Sequence, residues 1–271
     1  MKADYHVHSE FSSDCDVPLT SIFERAAELG LDGLAITDHF DPGFPRHDGT
    51  FDLNLPRYLG ALAKYRNEGW KGLEIRTGIE LGLQPAMAKE VRSVMAVDEL
   101  DFVIGSQHCV GGCELFDDSF FEGKSKEQAH REYFEELYRN LEMFDGISVI
   151  GHMDFFRRYG SSVYGRKHKD VDYDIHMDII DEILKLAVGR GVGLELNTSA
   201  DRLGLGCFHP DPVILGRYLA FGGEIVTLGS DCHDPDEIAW CFDEALALLK
   251  SLGFRYICGF TRCKPEFYPL G

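Results

Sequence analysis

A chain of 271 residues that is 44% hydrophobic and 12% aromatic has enough apolar material for a sizeable core and belongs to neither the disordered nor the fibrous classes. Its 46 acidic against 27 basic residues give a formal net charge of −19, which repels polyphosphate backbones and excludes nucleic acid as the expected partner, while a small phosphoester can still enter a locally positive pocket. No apolar run is long enough to span a membrane, and the opening MKADYHVHSE turns polar too early for a signal peptide, so no membrane partner and a cytoplasmic location are expected.

Short runs rich in Val, Ile and Leu alternate with stretches of helical apolar periodicity. In chain order the spacing predicts a strand at 3–7, a helix at 18–30, a strand at 33–37, a helix at 54–69, a strand at 74–79 and a helix at 86–98. There follow a strand at 102–106, a helix at 125–144, a strand at 147–151, a helix at 172–190, a strand at 193–197, a helix at 210–222, a strand at 224–229 and a helix at 234–252. Pro18 and Pro56 fall where the first turn of a helix tolerates proline, and Gly30 and Gly191 follow helix ends. Seven strand-helix units without a composition break argue for one domain over 1–271, an α/β barrel that is closed or nearly so. The irregular stretches 40–53, 110–124 and 155–171 all follow strands, which in a barrel places them on the catalytic face. The tail FRYICGFTRCKPEFYPLG reads as a strand pair or extended segment closing the barrel's edge. Oligomeric state is not legible.

Eight cysteines are scattered without a CxxC pair and read as reduced thiols; Cys109 and Cys113 lack the second pair that a zinc site of the cysteine type needs. Histidine is more informative. Six of the eleven copies, His6, His8, His39, His108, His152 and His233, fall at the C-terminal ends of predicted strands, within HVH, TDH, SQH, GHMD and GSDCH. The alternating pair His6 and His8 projects to one side, as two ligands of one metal must. The third strand adds Glu80 to the same rim, and the seventh adds Asp231. Imidazoles and carboxylates gathered at one mouth of a barrel point to a divalent metal centre. His47, His130, His168, His176 and His209 lie in loops or on helices and receive no role.

The segments DYHVHSEFSSD, LAITDH, TGIE, GSQH, GHMD and GSDCH, spread over nearly the whole chain, resemble the polymerase and histidinol phosphatase (PHP) superfamily. Within it the length, the opening DYHVHSEFSSDCD and the closing KPEFYPL look most like its monofunctional histidinol-phosphate phosphatases. The resemblance implies a distorted (β/α)7 barrel of TIM-like type, with two or three divalent ions (Zn, Mn or Fe) at the C-terminal ends of the strands. It also implies an allocation: His6, His8, Glu80 and Asp231 on a first ion, Glu80, His108 and His152 on a second, and Asp14, His39 and His233 on a third. The expected reaction is hydrolysis of L-histidinol phosphate to L-histidinol and phosphate in histidine biosynthesis, by attack of a metal-bound hydroxide on phosphorus. Asp231, with His233, is expected to handle the proton.

A phosphate dianion matches the planar fork of arginine. Arg157 or Arg158, beyond His152, and Arg202, beyond the sixth strand, are the candidates, with Arg158 and Arg202 preferred. Asn197 is expected to hydrogen-bond substrate or water, and Phe44, Phe116 and Tyr159 are available for an imidazole. Two other readings are another small phosphoester, such as a nucleotide, on the same scaffold, and a non-catalytic metal-binding module.

Overall fold

The computed structural model describes residues 1–45, 51–116 and 118–271; His47 lies outside them. The chain runs through β1 (Ala3–Val7), a helix at Leu19–Glu28, β2 (Gly33–Ile36), β3 (His39–Phe40), a helix at Leu55–Glu68, β4 (Glu74–Gly82), a helix at Ala88–Met95 and β5 (Phe102–Ser106). The two-residue strands β6 (Cys109–Val110) and β7 (Cys113–Glu114) follow, then a helix at Lys126–Met143, β8 (Val149–Ile150), a helix at Met177–Arg190, β9 (Gly193–Asn197) and a helix at Pro212–Ala220. The chain ends through β10 (Val226–Gly229), a helix at Phe242–Leu252, β11 (Tyr256–Thr261) and β12 (Lys264–Pro269).

Parallel pairing orders the main sheet β1-β2-β4-β5-β8-β9-β10, with β3 attached to β4. Its edges come back together: Val7 and Cys232 form a parallel bridge, His8 N donates to Cys232 O at 3.1 Å, and Asp231 N donates to His6 O at 2.8 Å. The result is a nearly closed α/β barrel, as the sequence predicts. Every residue of β1, β2, β5, β9 and β10 is buried, the pattern of parallel strands covered on both faces. The helix Leu19–Glu28 supplies part of that cover through Leu19, Ile22, Phe23 and Ala26, spaced to form one stripe. Burying each of its three larger side chains contributes about 1.5–3 kcal/mol.

Several element boundaries differ from the sequence reading. The helix expected at 234–252 is a single turn, Pro235–Glu237, followed by a helix that begins only at Phe242. Ala239 and Cys241, at φ 56 and 52°, are left-handed and break any continuous helix between them. The helix expected at 172–190 likewise begins with a separate turn, Asp174–His176. The strand expected to end at 79 runs on to Gly82, because it pairs with β3 on one side and β5 on the other.

The C-terminal segment is also corrected. It is a strand pair, yet it pairs only with itself and does not extend the sheet. It packs beneath the N-terminal mouth: Cys258 and Phe260 cluster with Ala3, Tyr5, Phe102 and Val149, and Phe260 N donates to the Tyr5 hydroxyl at 3.0 Å. Asp101, just before β5, accepts from Arg262 N at 3.1 Å and, through its carbonyl, from Cys263 N at 2.9 Å. Among the described residues no helix is long and apolar enough to cross a membrane, and all eight cysteines are free thiols.

Candidate metal centre

Because the barrel strands are parallel, their C-terminal ends share one rim, and the chemistry collects there. Glu80 stands at its middle. Its Oε2 lies 3.2 Å from His6 Nε2, 3.5 Å from His8 Nε2 and 3.0 Å from His39 Nδ1, and its Oε1 lies 2.9 Å from His152 Nε2 and 3.3 Å from His108 Nε2. The β3–β4 register places His39 beside Glu80 directly. Asp231 Oδ1 approaches His8 Nε2 at 3.4 Å and His6 Nε2 at 3.7 Å. Asp14 Oδ2 lies 3.3 Å from His233 Nε2 and 3.6 Å from His39 Nε2, and the His8 ring stacks on the rings of both histidines. All nine side chains singled out as metal ligands therefore meet at one mouth.

The donor set fits divalent cations on two counts. His6 Nε2, His8 Nε2 and Glu80 Oε2 are buried and make no hydrogen bond, a state that costs about 1–3 kcal/mol for each such atom. Secondly, the ligand atoms of His6, His8 and Glu80 lie within 4.8 Å of one another, and the same holds for Glu80, His108 and His152, and for His8, His39 and His233. Mixed imidazole and carboxylate donors suit zinc, manganese or iron.

The field at this mouth is strong. Burial alone would depress the histidines, but the Glu80 and Asp41 carboxylates outweigh it and push His39 up to about 9; for His108, Asp41 and Glu80 do the same, up to about 10. His6 rises well above its ordinary value, because Glu195, Glu80 and Asp231 overcome its burial. His8 goes the other way, to about 3, through burial and the neighbouring His233 and His39. Burial would raise the carboxyls of Glu80 and Asp231, and the histidines instead hold both well below the usual range, with Arg158 adding to the effect on Asp231. The negative charge concentrated there is what a divalent cation requires.

The neighbouring arginines separate cleanly. Arg158 Nη2 donates to Asp231 Oδ2 at 2.9 Å and to Asn197 Oδ1 at 3.5 Å, and also contacts Ser199 Oγ, so Arg158 and Asn197 both reach the centre. Arg157 turns away to Asp154 at 3.2 Å and Asp211 at 3.5 Å. Arg202 donates to the carbonyls of Ser230 and Asp231 at 3.2 and 3.1 Å and pairs with Glu237 at 3.0 Å, so its fork holds the backbone of the Asp231 turn, where φ is 53°. Of the aromatics, Phe116 is 43% exposed and rings with Phe44 and Tyr159 beside His108.

Two buried carboxylates at the centre carry no role in the sequence reading. Asp41 Oδ1 takes a hydrogen bond from His108 Nδ1 at 2.6 Å, and Glu195 Oε1 takes one from His6 Nδ1 at 2.5 Å. The only local signal was alternation: Asp41 lies two residues beyond His39, and Glu195 two before Asn197. Of the histidines given no role, His209 is buried against Asp154, and His130 and His176 pack together away from the centre.

Comparison with known proteins agrees with this geometry. The PHP domain family matches residues 4–199. The histidinol-phosphatase of Lactococcus lactis subsp. lactis is 31% identical over 266 residues, 97% of this chain and 96% of its own length. A probable histidinol-phosphatase of Clostridium acetobutylicum is 28% identical over 94% of this chain and 95% of its own. The crystal structure of the Lactococcus lactis histidinol phosphate phosphatase, complexed with zinc, L-histidinol and phosphate, superposes with a TM-score of 0.87 at 29% identity and covers 98% of each chain. With the barrel, the histidine-rich rim and a match of this extent in agreement, the chain belongs to the PHP domain family.

Proposed function

We propose that this protein is a metal-dependent histidinol-phosphatase, which hydrolyses L-histidinol phosphate to L-histidinol and phosphate in histidine biosynthesis. The observation that carries the substrate is the near full-length similarity to the Lactococcus lactis enzyme, whose crystal structure holds zinc, L-histidinol and phosphate. Two or three divalent cations fit the rim: His6, His8, Glu80 and Asp231 for the first, Glu80, His108 and His152 for the second, and Asp14, His39 and His233 for the third. When bound, such ions supply Lewis acidity, which lowers the pKa of water and draws charge from a phosphoryl group.

The chain's own groups account for the rest. Arg158 Nε and Asn197 Nδ2 are buried donors without a hydrogen bond, which suits them to the oxygens of a phosphate. Arg158 also keeps Asp231 ionised and oriented, so that its carboxylate can accept a hydrogen bond from the attacking water and receive its proton. His233, whose side chain is 31% exposed and stands 3.3 Å from Asp14, can pass that proton outward. Phe116, Phe44 and Tyr159 offer flat apolar faces for the imidazole of the substrate. We assign the activity to one domain spanning the whole chain and place it in the cytoplasm, with no nucleic-acid partner.

The test is phosphate release by purified, zinc- or manganese-loaded protein across a panel of phosphoesters. L-histidinol phosphate is expected to give the highest kcat/KM, and a value no better than that for p-nitrophenyl phosphate or a nucleotide would overturn the named substrate.

A further inference from the structure

Glu80 is flanked by two matching arrangements. On one side, His6 presents Nε2 to Glu80 Oε2 at 3.2 Å and donates from Nδ1 to Glu195 at 2.5 Å. On the other, His108 presents Nε2 to Glu80 Oε1 at 3.3 Å and donates from Nδ1 to Asp41 at 2.6 Å. Each outer carboxylate occupies a hollow that only glycine leaves open. A Cβ added at Gly82, the last residue of β4, would overlap Asp41 Oδ1, and one added at Gly229, the last residue of β10, would overlap Glu195 Oε1. Both carboxylates are buried: Glu195 Oε2 also accepts from His152 N at 2.7 Å, and Asp41 Oδ2 stands 3.2 Å from His39 Nδ1 without a hydrogen bond.

We infer that Glu195 and Asp41 are positioning residues of the metal centre, each locking one imidazole, His6 or His108, into the tautomer that turns its Nε2 lone pair toward a cation shared with Glu80. A carboxylate accepting from Nδ1–H leaves Nε2 unprotonated, fixes the ring plane and raises the basicity of the ligating nitrogen. Glu195 serves the first cation and Asp41 the second, and Gly82 and Gly229 keep the space for them. The isosteric amides cannot substitute fully, because an amide carries no charge and, at Glu195, has one accepting oxygen where the carboxylate uses two.

This inference rests on the cation reading above, and the experiment separates the two. Zinc affinity of the full-length protein is measured by competition with a chelating indicator for the wild type, Glu195→Gln, Asp41→Asn, His6→Ala and His6→Ala/Glu195→Gln. Each single carboxylate variant is expected to weaken one zinc by about 10- to 100-fold. In the background lacking His6, Glu195→Gln is expected to add less than about twofold, because its effect runs through that ring. Zinc affinities within about twofold of wild type in both single variants, or an undiminished Glu195→Gln effect without His6, overturn the inference and leave the cation reading standing. A wild type that binds no zinc overturns both. Should the variants not fold, nitrogen-15 labelling of the histidine rings in the zinc-loaded wild type decides: Nδ1–H tautomers at His6 and His108 support the assignment, and Nε2–H tautomers sink it.

Discussion

Arg157 and Arg158 are neighbours on one short turn, Phe155–Arg158, yet only the second faces the centre. Removing its guanidinium takes away charge-assisted hydrogen bonds worth about 1.5–3 kcal/mol, so Arg158→Ala is expected to raise KM for the phosphoester by roughly 10- to 100-fold. Asp231→Asn keeps the shape but loses the base and is expected to lower kcat by about 100-fold or more. Steady-state phosphate release checks both, and wild-type constants in either variant would remove that residue's role. At this scale the meeting of the rim residues was legible because each of its six histidines stands at the end of a predicted strand, where a barrel gathers its chemistry. Asp41 and Glu195 were not, since what marks them is a partner on another strand: His108 lies 67 residues from Asp41, and His6 189 from Glu195. Arg202 shows the same limit, because its grip on the Ser230 and Asp231 carbonyls depends on a left-handed turn that no spacing announces.

The helices were legible in kind and less so in extent. At Lys126–Met143, where Ser125 and Gln128 form a capping box over the first turn, the expected and observed ends agree within a residue. Where left-handed residues interrupt, as at Ala239 and Cys241, periodicity alone runs the helix too far. One prediction belongs to the contact between two helical segments. His130, on Lys126–Met143, is buried with its ring centroid 6.0 Å from that of His176, which precedes Met177–Arg190. Burial, followed by His176 and Lys126, pushes His130 down to about 3, and burial lowers His176 as well. The unfolded chain therefore binds the extra proton first as pH falls below about 6.5, and stability is lost from there down towards the folded value. The slope contributed by His130 approaches about 1.4 kcal/mol per pH unit within that window. Thermal melts of His130→Leu against wild type between pH 7 and 5 should show a shallower acid decline, and parallel curves would exclude this histidine as a source.

For the molecule as a whole, the parallel barrel could be read from the seven strand-helix units, whereas the role of the tail could not. A hairpin that pairs only with itself has no partner pattern in the sequence, and its place under the N-terminal mouth is decided by Tyr5, Phe102 and Asp101. Deleting 254–271 leaves every proposed ligand in the chain but removes the buried Phe254, Ile257, Phe260 and Leu270. At about 1.5–3 kcal/mol for each large side chain, the loss rivals the net stability of a typical domain. The truncated protein is expected to melt at least 10 °C lower, or to be recovered only as aggregate; an unchanged Tm would mean that the hairpin is an ornament.

The Tyr5–Phe260 contact has a further consequence for the order in which the protein is made. The first strand is translated well before the partners that complete it: Phe260, which covers its lower end together with Phe102, lies 255 residues beyond Tyr5, and its upper end closes only when Asp231 and Cys232 arrive. Until those residues emerge, the free side of β1 remains an exposed apolar edge in the growing polypeptide, and that interval is when this chain most needs protection from its neighbours.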